Sequence, residues 1–370
     1  MRPAQRLAVT AHARQPHPGD EALDLRWSPD EARFSAPLLE HVWTGLLRCA
    51  PAELGERARH YAVRDPFGAR RAAPVLSAHF GCRFTPEHVT VGAGTTGLLH
   101  ALACLAAAPA TVLHLAAHHP DLPLWARRLG ARTVPPARSV EEAAARAARH
   151  TPSLVLAERP AVDGTLCTAE AVGRLADVLA RTGDGDGLLV VDESYACYGG
   201  PQVSVAPLVA RHPNLVVLRG VSKGYCAGGL RTGFALASPR ATARLRNVAP
   251  PLAAGELGLH AALAMLAEGD VFAGLRARVA EVRPRFLRML RAAGCTVPVP
   301  TPGEGDGNEA PWLPWTVVAD DARTRTVLEH RRILGKEVCT VPPSPALLRL
   351  SVPLSDERER AVTEALTRRG

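Results

Sequence analysis

Between about residues 85 and 240, short uninterrupted apolar runs alternate with helix-length segments, an order that few architectures accommodate. The runs are HVTVGAG from His88, TVLHLA from Thr111, SLVLAE from Ser153, GLLVVDE from Gly187, NLVVLRG from Asn214 and GFALAS from Gly233. A strand with one wet face alternates apolar and polar residues, so continuous runs predict strands buried on both faces. Between them, Thr95 to Ala107, Leu124 to Leu129, VEEAAARAARH and Thr168 to Arg181 read as helices, and strand–helix alternation predicts a parallel sheet. After Pro251 the pattern changes to long helical stretches around 252–268 and 274–293, then a Pro/Gly-rich bend, TPGEGDGNEAP, at 301–311. The tail gives a strand WLPWTVVA, a helix from Arg323 to Arg332, a strand LLRLSV and a closing helix from Asp356. The expectation is an α/β chain whose large unit spans 40–250, with a smaller α+β unit assembled from 1–39 and 251–370.

Composition narrows the function. The first residues, MRPAQRLAVTAHARQPHPGDE, lack the apolar core of a signal peptide, and no segment reaches about eighteen apolar residues, so no membrane and a cytoplasmic location are expected. Eight cysteines are spread along the chain with no CxxC pair, which predicts reduced, mostly buried thiols. The net charge of +8 would suit nucleic acid, but the arginines are scattered and aromatic residues are only 4%, so no nucleic-acid partner is expected.

The cations themselves are informative. Of 44 Lys+Arg residues only two are lysines, Lys223 and Lys336. Guanidinium serves surface charge as well as ammonium does, but only a primary amine can deprotonate and condense with an aldehyde. Lys223 follows the strand NLVVLRG, beside Ser222, and Arg231 stands eight residues on, past glycines that let a ligand approach the backbone. A lysine after a strand is ordinarily a solvated cation; with Arg231 as a planar fork, the segment makes a site for an aldehyde that also bears phosphate. Asp192 and Glu193 end the strand LLVVDE, where they either face a ligand cation or cap the next turn, and Tyr195 follows at three residues. Upstream, VTVGAGTTG runs from strand into helix and offers N–H groups at Gly94, Thr95 and Thr96 to a phosphate, while fitting neither nucleotide fingerprint.

In chain order, GAGTTG, DESY, SKGYCAGGLR and LLRLSV resemble the fold type I pyridoxal 5′-phosphate (PLP) enzymes, especially the histidinol-phosphate aminotransferase branch of the class I/II aminotransferases. The resemblance runs from about Leu23 to the end and is most specific between Lys223 and Arg231. It implies a mostly parallel seven-stranded sheet flanked by helices plus a smaller α+β domain, with PLP held by Lys223 as a Schiff base. Lys223 would also shuttle the substrate's α-proton. Asp192 would pair with the protonated pyridine nitrogen and Tyr195 with the ring's phenolic oxygen. Thr95, Thr96, Ser222 and Arg231 would hold the phosphate. Tyr61, in HYAVRDPFG, would reach the phosphate of a neighbouring subunit, which implies a homodimer with shared sites. Arg349, in LLRLSV, would grip the substrate α-carboxylate.

The chain departs from the family at several points. Where an asparagine usually supports the ring oxygen, AERPAVDGTLC has Ala161; where an aromatic residue stacks on the ring, AAHHPDLPLW offers His119. His118 and His119 also raise a metal, but adjacent residues of an extended segment point apart and no carboxylate or cysteine cluster accompanies them, so none is expected. The extra arginine of members that use phosphorylated substrates is replaced by Cys339 in GKEVCTVPP, so a dedicated substrate-phosphate clamp is not expected, with Lys336 nearby as a partial substitute. LRWSPDEARF lacks the Asn-rich opening of the group. The reading is an aminotransferase acting on an amino acid and a 2-oxo acid, in specialised metabolism. Its alternatives are a PLP-dependent lyase, decarboxylase or cyclase, and, further off, a catalytically inactive binding module.

Overall fold

A computed structural model describes residues 22–48, 51–59, 61–116, 118–298, 307–338 and 346–367. The opening segment to Glu21, Cys49, most of the 301–311 bend and Cys339 lie outside the described residues.

Seven strands form the central sheet: β1 (Val89–Ala93), β2 (Thr111–His114), β3 (Arg132–Thr133), β4 (Leu154–Glu158), β5 (Leu188–Asp192), β6 (Leu215–Gly220) and β7 (Thr232–Ala237). Their order is β1-β7-β6-β5-β4-β2-β3. Every residue of β4, β5 and β7 is buried. The reason is visible in two cores: Leu154, Leu156, Leu188 and Val190 enter one, while Val155, Ala157, Leu189 and Val191 enter the other. Alternate side chains leave opposite faces, and both faces are covered by helices, so polar residues have no place along these strands. Helices Gly94–Leu105 and Asp121–Arg128 cover one face; Ala69–Phe80, Val140–His150 and Ala169–Ala180 cover the other.

The sheet is mostly parallel with seven strands, as expected, and one strand departs from the alternation's parallel order: β7 is antiparallel to both neighbours, β1 and β6. The link from β6 to β7, Val221–Arg231, carries only a short 3-10 turn, whereas a parallel return needs a crossover of about a dozen residues or more, usually helical. The tight link is the segment that bears Lys223. The parallel strands β4, β5 and β6 bring Glu158, Asp192 and Gly220 to one carboxyl edge, with Glu158 and Asp192 as register partners.

Helices Ala32–Arg48, Pro51–Arg59 and Ala69–Phe80 were not read from the sequence; Pro37 and Pro74 lie inside the first and third. A second sheet, ordered β8-β10-β9, is antiparallel and consists of β8 (Trp315–Ala319), β9 (Lys336–Val338) and β10 (Leu347–Ser351). Leu23–Asp24 pairs with Ile333–Leu334, and Asp30 accepts from the backbone N–H of Leu354 and Ser355 at 3.0 and 2.7 Å, which ties the early segment to the tail. The expectation of mostly buried thiols holds for half of the six described cysteines: Cys167, Cys197 and Cys295 are buried, Cys82 and Cys104 partly so, and Cys226 is exposed.

Candidate active site

Strand β5 carries Asp192 to the carboxyl edge, where it is only 6% exposed. Its Oδ1 accepts from the backbone N–H and the hydroxyl of Ser194, at 2.9 and 2.6 Å. No ion-pair partner meets Asp192 among the described residues. Burial raises its pKa, against the Ser194 hydrogen bonds and the charge of Lys223. A buried carboxylate with no cation of its own is suited to a ligand N–H⁺. Glu193 points elsewhere: Arg159 lies at 3.2 Å, Arg219 at 3.5 Å, and the N–H of Val205 donates at 2.8 Å. Of the two readings left open for this pair, Asp192 caps the turn through Ser194 and is buried without an ion-pair partner among the described residues, while Glu193 is occupied by arginines.

Three of the other residues singled out from the sequence stand together, and the charge of one of them, Lys223, is felt at Asp192. The Lys223 ammonium lies 5.4 Å from the centre of the Tyr195 ring. Tyr195 packs edge-on against Trp315 at 4.8 Å, and its hydroxyl accepts from Arg349 Nη1 at 3.3 Å. Arg349, 8% exposed, lies over Trp315 at 4.7 Å; its Nε has no partner, and no carboxylate pairs with it among the described residues. A guanidinium held this way keeps its charge for a ligand anion.

The phosphate side is built by close backbone approach. Helix Gly94–Leu105 opens with Gly94 at φ +71°, and a Cβ there would lie 2.7 Å from Arg231 Nη2. A Cβ on Gly233 would lie 2.5 Å from Gly94 C and Thr95 N, so β7 passes the helix start at a distance that only glycine permits. Arg231 donates to Gly228 O at 3.1 Å and keeps an exposed guanidinium beside that N-terminus. Thr95 joins the group through Ser194, whose hydroxyl lies 3.4 Å from its own. Thr96 and Ser222 are half-buried on the same two segments. A helix N-terminus, two threonines and an arginine fork fit a phosphate dianion.

His119 is half-buried and lines a small pocket with Tyr195, Val162, Lys336 and Arg349. Its neighbour His118 points into the core, edge-on to His114 at 4.1 Å, and burial drives its pKa down to about 3. Ala161 is buried, and its methyl cannot donate a hydrogen bond. Tyr61 is 80% exposed and touches none of these residues within one chain.

Two groups were missed in the sequence. Glu158, fully buried, accepts from the N–H of His119, and its pKa is raised well above the usual range by burial and by Asp192. Glu31 accepts from Tyr198 Oη at 2.5 Å and is raised to about 7 by burial, with the charge of Arg349 acting against the rise. Lys336, read from the sequence as a partial substitute for the missing substrate-phosphate clamp, lines the same pocket as His119. The one available signal was an acidic residue ending an apolar run, as in SLVLAE.

The sheet order and the family and structural matches together define a PLP-dependent transferase of fold type I. The family model for aminotransferase class I and II matches residues 66–366, and the chain belongs to that family. The chain is 29% identical over 311 residues to the aromatic amino acid aminotransferase of Cutibacterium acnes, covering 81% of this chain and 82% of that protein. It is 31% identical over 246 residues to the protein of the same name from Mycobacterium tuberculosis (strain ATCC 25618 / H37Rv), covering 62% and 67%. In fold it resembles histidinol-phosphate aminotransferase from Sinorhizobium meliloti in complex with PLP, with TM-score 0.67, 21% identity and coverage of 96% and 91%. An aspartate aminotransferase from Rhodobacter sphaeroides 2.4.1 matches with TM-score 0.70, 17% identity and coverage of 95% and 94%. The protein is a PLP-dependent aminotransferase. Among the described residues no helix is long and apolar enough to cross a membrane.

Proposed function

We propose that Lys223 anchors the cofactor and moves the substrate's α-proton, with the remaining site residues fixing geometry and charge around it. The observation that carries this reading is that Lys223 and Arg349 both meet Tyr195, while the charge of Lys223 is felt at the buried Asp192. When bound, PLP supplies an aldehyde for the amine and a ring that withdraws electrons. Asp192 keeps a proton on the ring nitrogen. Tyr195, its hydroxyl hydrogen-bonded by Arg349, faces the ring oxygen without help from position 161. Thr95, Thr96, Ser222 and Arg231 hold the phosphate, and His119 lies against the ring. Arg349 takes the α-carboxylate, which orients the α-C–H bond toward Lys223 Nζ.

The named relatives support an aromatic amino acid as donor, and the aromatic walls Tyr195 and Trp315 suit one. The exposure of Tyr61 supports a homodimer in which a second copy covers it and receives its hydroxyl at the phosphate. A large unit of 40–250, a small unit from both termini and a cytoplasmic location complete the reading.

The test is Lys223→Ala with added PLP. We expect no borohydride-fixed cofactor and a loss of turnover of at least about 10²–10⁴-fold, the usual contribution of a positioned base. Ordinary turnover in this variant would overturn the assignment. In wild type, one 2-oxo acid per site without ammonia marks amino transfer; released ammonia would mark elimination instead.

A further inference from the structure

Residues 25–35 tie together the two sides of the site. The backbone N–H of Ser351, two residues beyond Arg349 on β10, donates to Leu25 O at 2.8 Å. The Ser35 hydroxyl donates to the carbonyl of Gly224, next to Lys223, at 3.3 Å. Between these ties stands Glu31, which accepts from the Tyr198 hydroxyl at 2.5 Å. From that bond a line of packed groups leads back to the site. The buried Tyr198 lies edge-on to Trp315 with ring centres 5.9 Å apart, and Trp315 is the ring over which Arg349 lies, at 4.7 Å. Trp315 is fixed in turn by its Nε1, which donates to Val162 O at 3.2 Å. In an interior packed this closely, a shift at Tyr198 is passed on to the guanidinium.

Hydrogen bonding alone does not call for an acid at position 31, because a neutral amide accepts from a tyrosine hydroxyl equally well. What an acid adds is charge. Arg349 has no ion-pair partner among the described residues, yet its charge is felt at Glu31. An ionised Glu31 therefore attracts the guanidinium in the empty site, and a ligand carboxylate that neutralises Arg349 ends that attraction.

We propose that Glu31 is a positioning residue for Arg349: through Tyr198 and Trp315 it sets where the guanidinium lies, and its charge is the attraction that the substrate α-carboxylate replaces. This inference rests on the role proposed above for Arg349. The groups facing Glu31 are Tyr198, Arg349 from β10, Ser28 and Asp30 from its own segment, and the thiols of Cys197 and Cys226. Arg349 is the cation among them. Burial holds the Glu31 pKa up at about 7, against the Tyr198 hydrogen bond and the charge of Arg349. A carboxylate bound at Arg349 cancels that charge, raises Glu31 further and draws a proton onto it. The complex then favours protonated Glu31, so affinity for a carboxylate falls as pH rises from about 7 to the raised pKa of the complex, and is level on either side.

Calorimetry of the PLP-loaded protein with 3-phenylpropanoate, a carboxylate with no amino group to react, counts the protons taken up when run in two buffers of different ionisation enthalpy. The visible band of PLP reports the share that belongs to Lys223. Wild type should take up more than that share near neutral pH, and Glu31→Gln only that share. In Tyr198→Phe, which removes a bond to the charged form of Glu31, the excess uptake should move to higher pH. With L-phenylalanine in the half-reaction, Glu31→Ala should raise KM at least about tenfold with kcat less affected, and Glu31→Gln should recover most of that loss. The ratio of wild-type to Glu31→Gln KM should rise at least about threefold between pH 6 and 8.5, a comparison in which titrations common to both proteins cancel. Equal uptake and parallel pH profiles in wild type and Glu31→Gln, or an unchanged KM in Glu31→Ala, would sink the proposal. If Arg349→Lys binds 3-phenylpropanoate as wild type does, the role of Arg349 fails and Glu31 with it; if Arg349→Lys binds weakly while Glu31→Gln titrates as wild type, Glu31 alone is excluded.

Discussion

A single guanidinium shows how much of this site depends on fixed geometry. Arg349 is buried, cushioned by Trp315, and hydrogen-bonded through one nitrogen to Tyr195, so its planar fork is already aimed before a carboxylate arrives. Arg349→Lys keeps the charge and loses the fork. Since a hydrogen bond to a charged group contributes about 1.5–3 kcal/mol, KM for the amino acid should rise roughly 10- to 150-fold with kcat less affected. Saturation of the half-reaction measures this; an unchanged KM would remove Arg349 from carboxylate binding. Residue identity made Arg349 legible in LLRLSV, and Lys223 by its rarity. It could not separate Asp192 from Glu193, because two adjacent acids at a strand end look alike until their neighbours are known.

At the scale of elements, the carboxyl edge of the sheet is cross-braced by Arg159, Glu193 and Arg219, which follow or end the adjacent strands β4, β5 and β6. Arg159 Nε donates to Cys167 O at 2.8 Å, and Nη1 reaches both Glu193 and Val203 O. Removing one member of a buried pair leaves a charge uncompensated, which costs about 3–5 kcal/mol. Arg159→Met should therefore lower unfolding free energy in denaturant by about that amount, with Arg159→Met/Glu193→Gln recovering part of it. A loss near zero would mean that Arg219 alone neutralises Glu193. Elements differed in legibility for a physical reason. Helix Val140–His150 has Ser139 capping the Glu142 N–H, acids in its first turn and Arg149 and His150 in its last, all local signals. Ala32–Arg48 contains Pro37 and has no acid in its first turn, so only packing identifies it as a helix.

The molecule as a whole has buried acids and bases whose linkage terms oppose one another. His79 and His118 are driven by burial to about 4 and about 3. Each is held neutral in the fold but protonated when unfolded below about 6.5, so stability rises with pH across that interval and is flat above it. Glu31 behaves oppositely: with its pKa raised to about 7, its contribution is full below about 4.5 and lost as pH rises to 7. Thermal midpoints between pH 4 and 8 should show His118→Asn losing less stability than wild type on acidification, by up to on the order of 3 kcal/mol. Glu31→Gln should remove a decline between pH 4.5 and 7. Parallel curves for variants and wild type would refute these assignments.

The sequence by itself determined that the strands are buried on both faces and that they alternate with helices, and it singled out Lys223 as one of two primary amines. Those properties are local or depend on the identity of one atom. Tertiary structure alone decided that Lys336 stands beside Arg349, that Glu31 meets Tyr198, that Glu158 shares an edge with Asp192 and that β7 is reversed. Each depends on strand register or on contacts between distant segments, and residue spacing along the chain carries no record of which strand will become a neighbour.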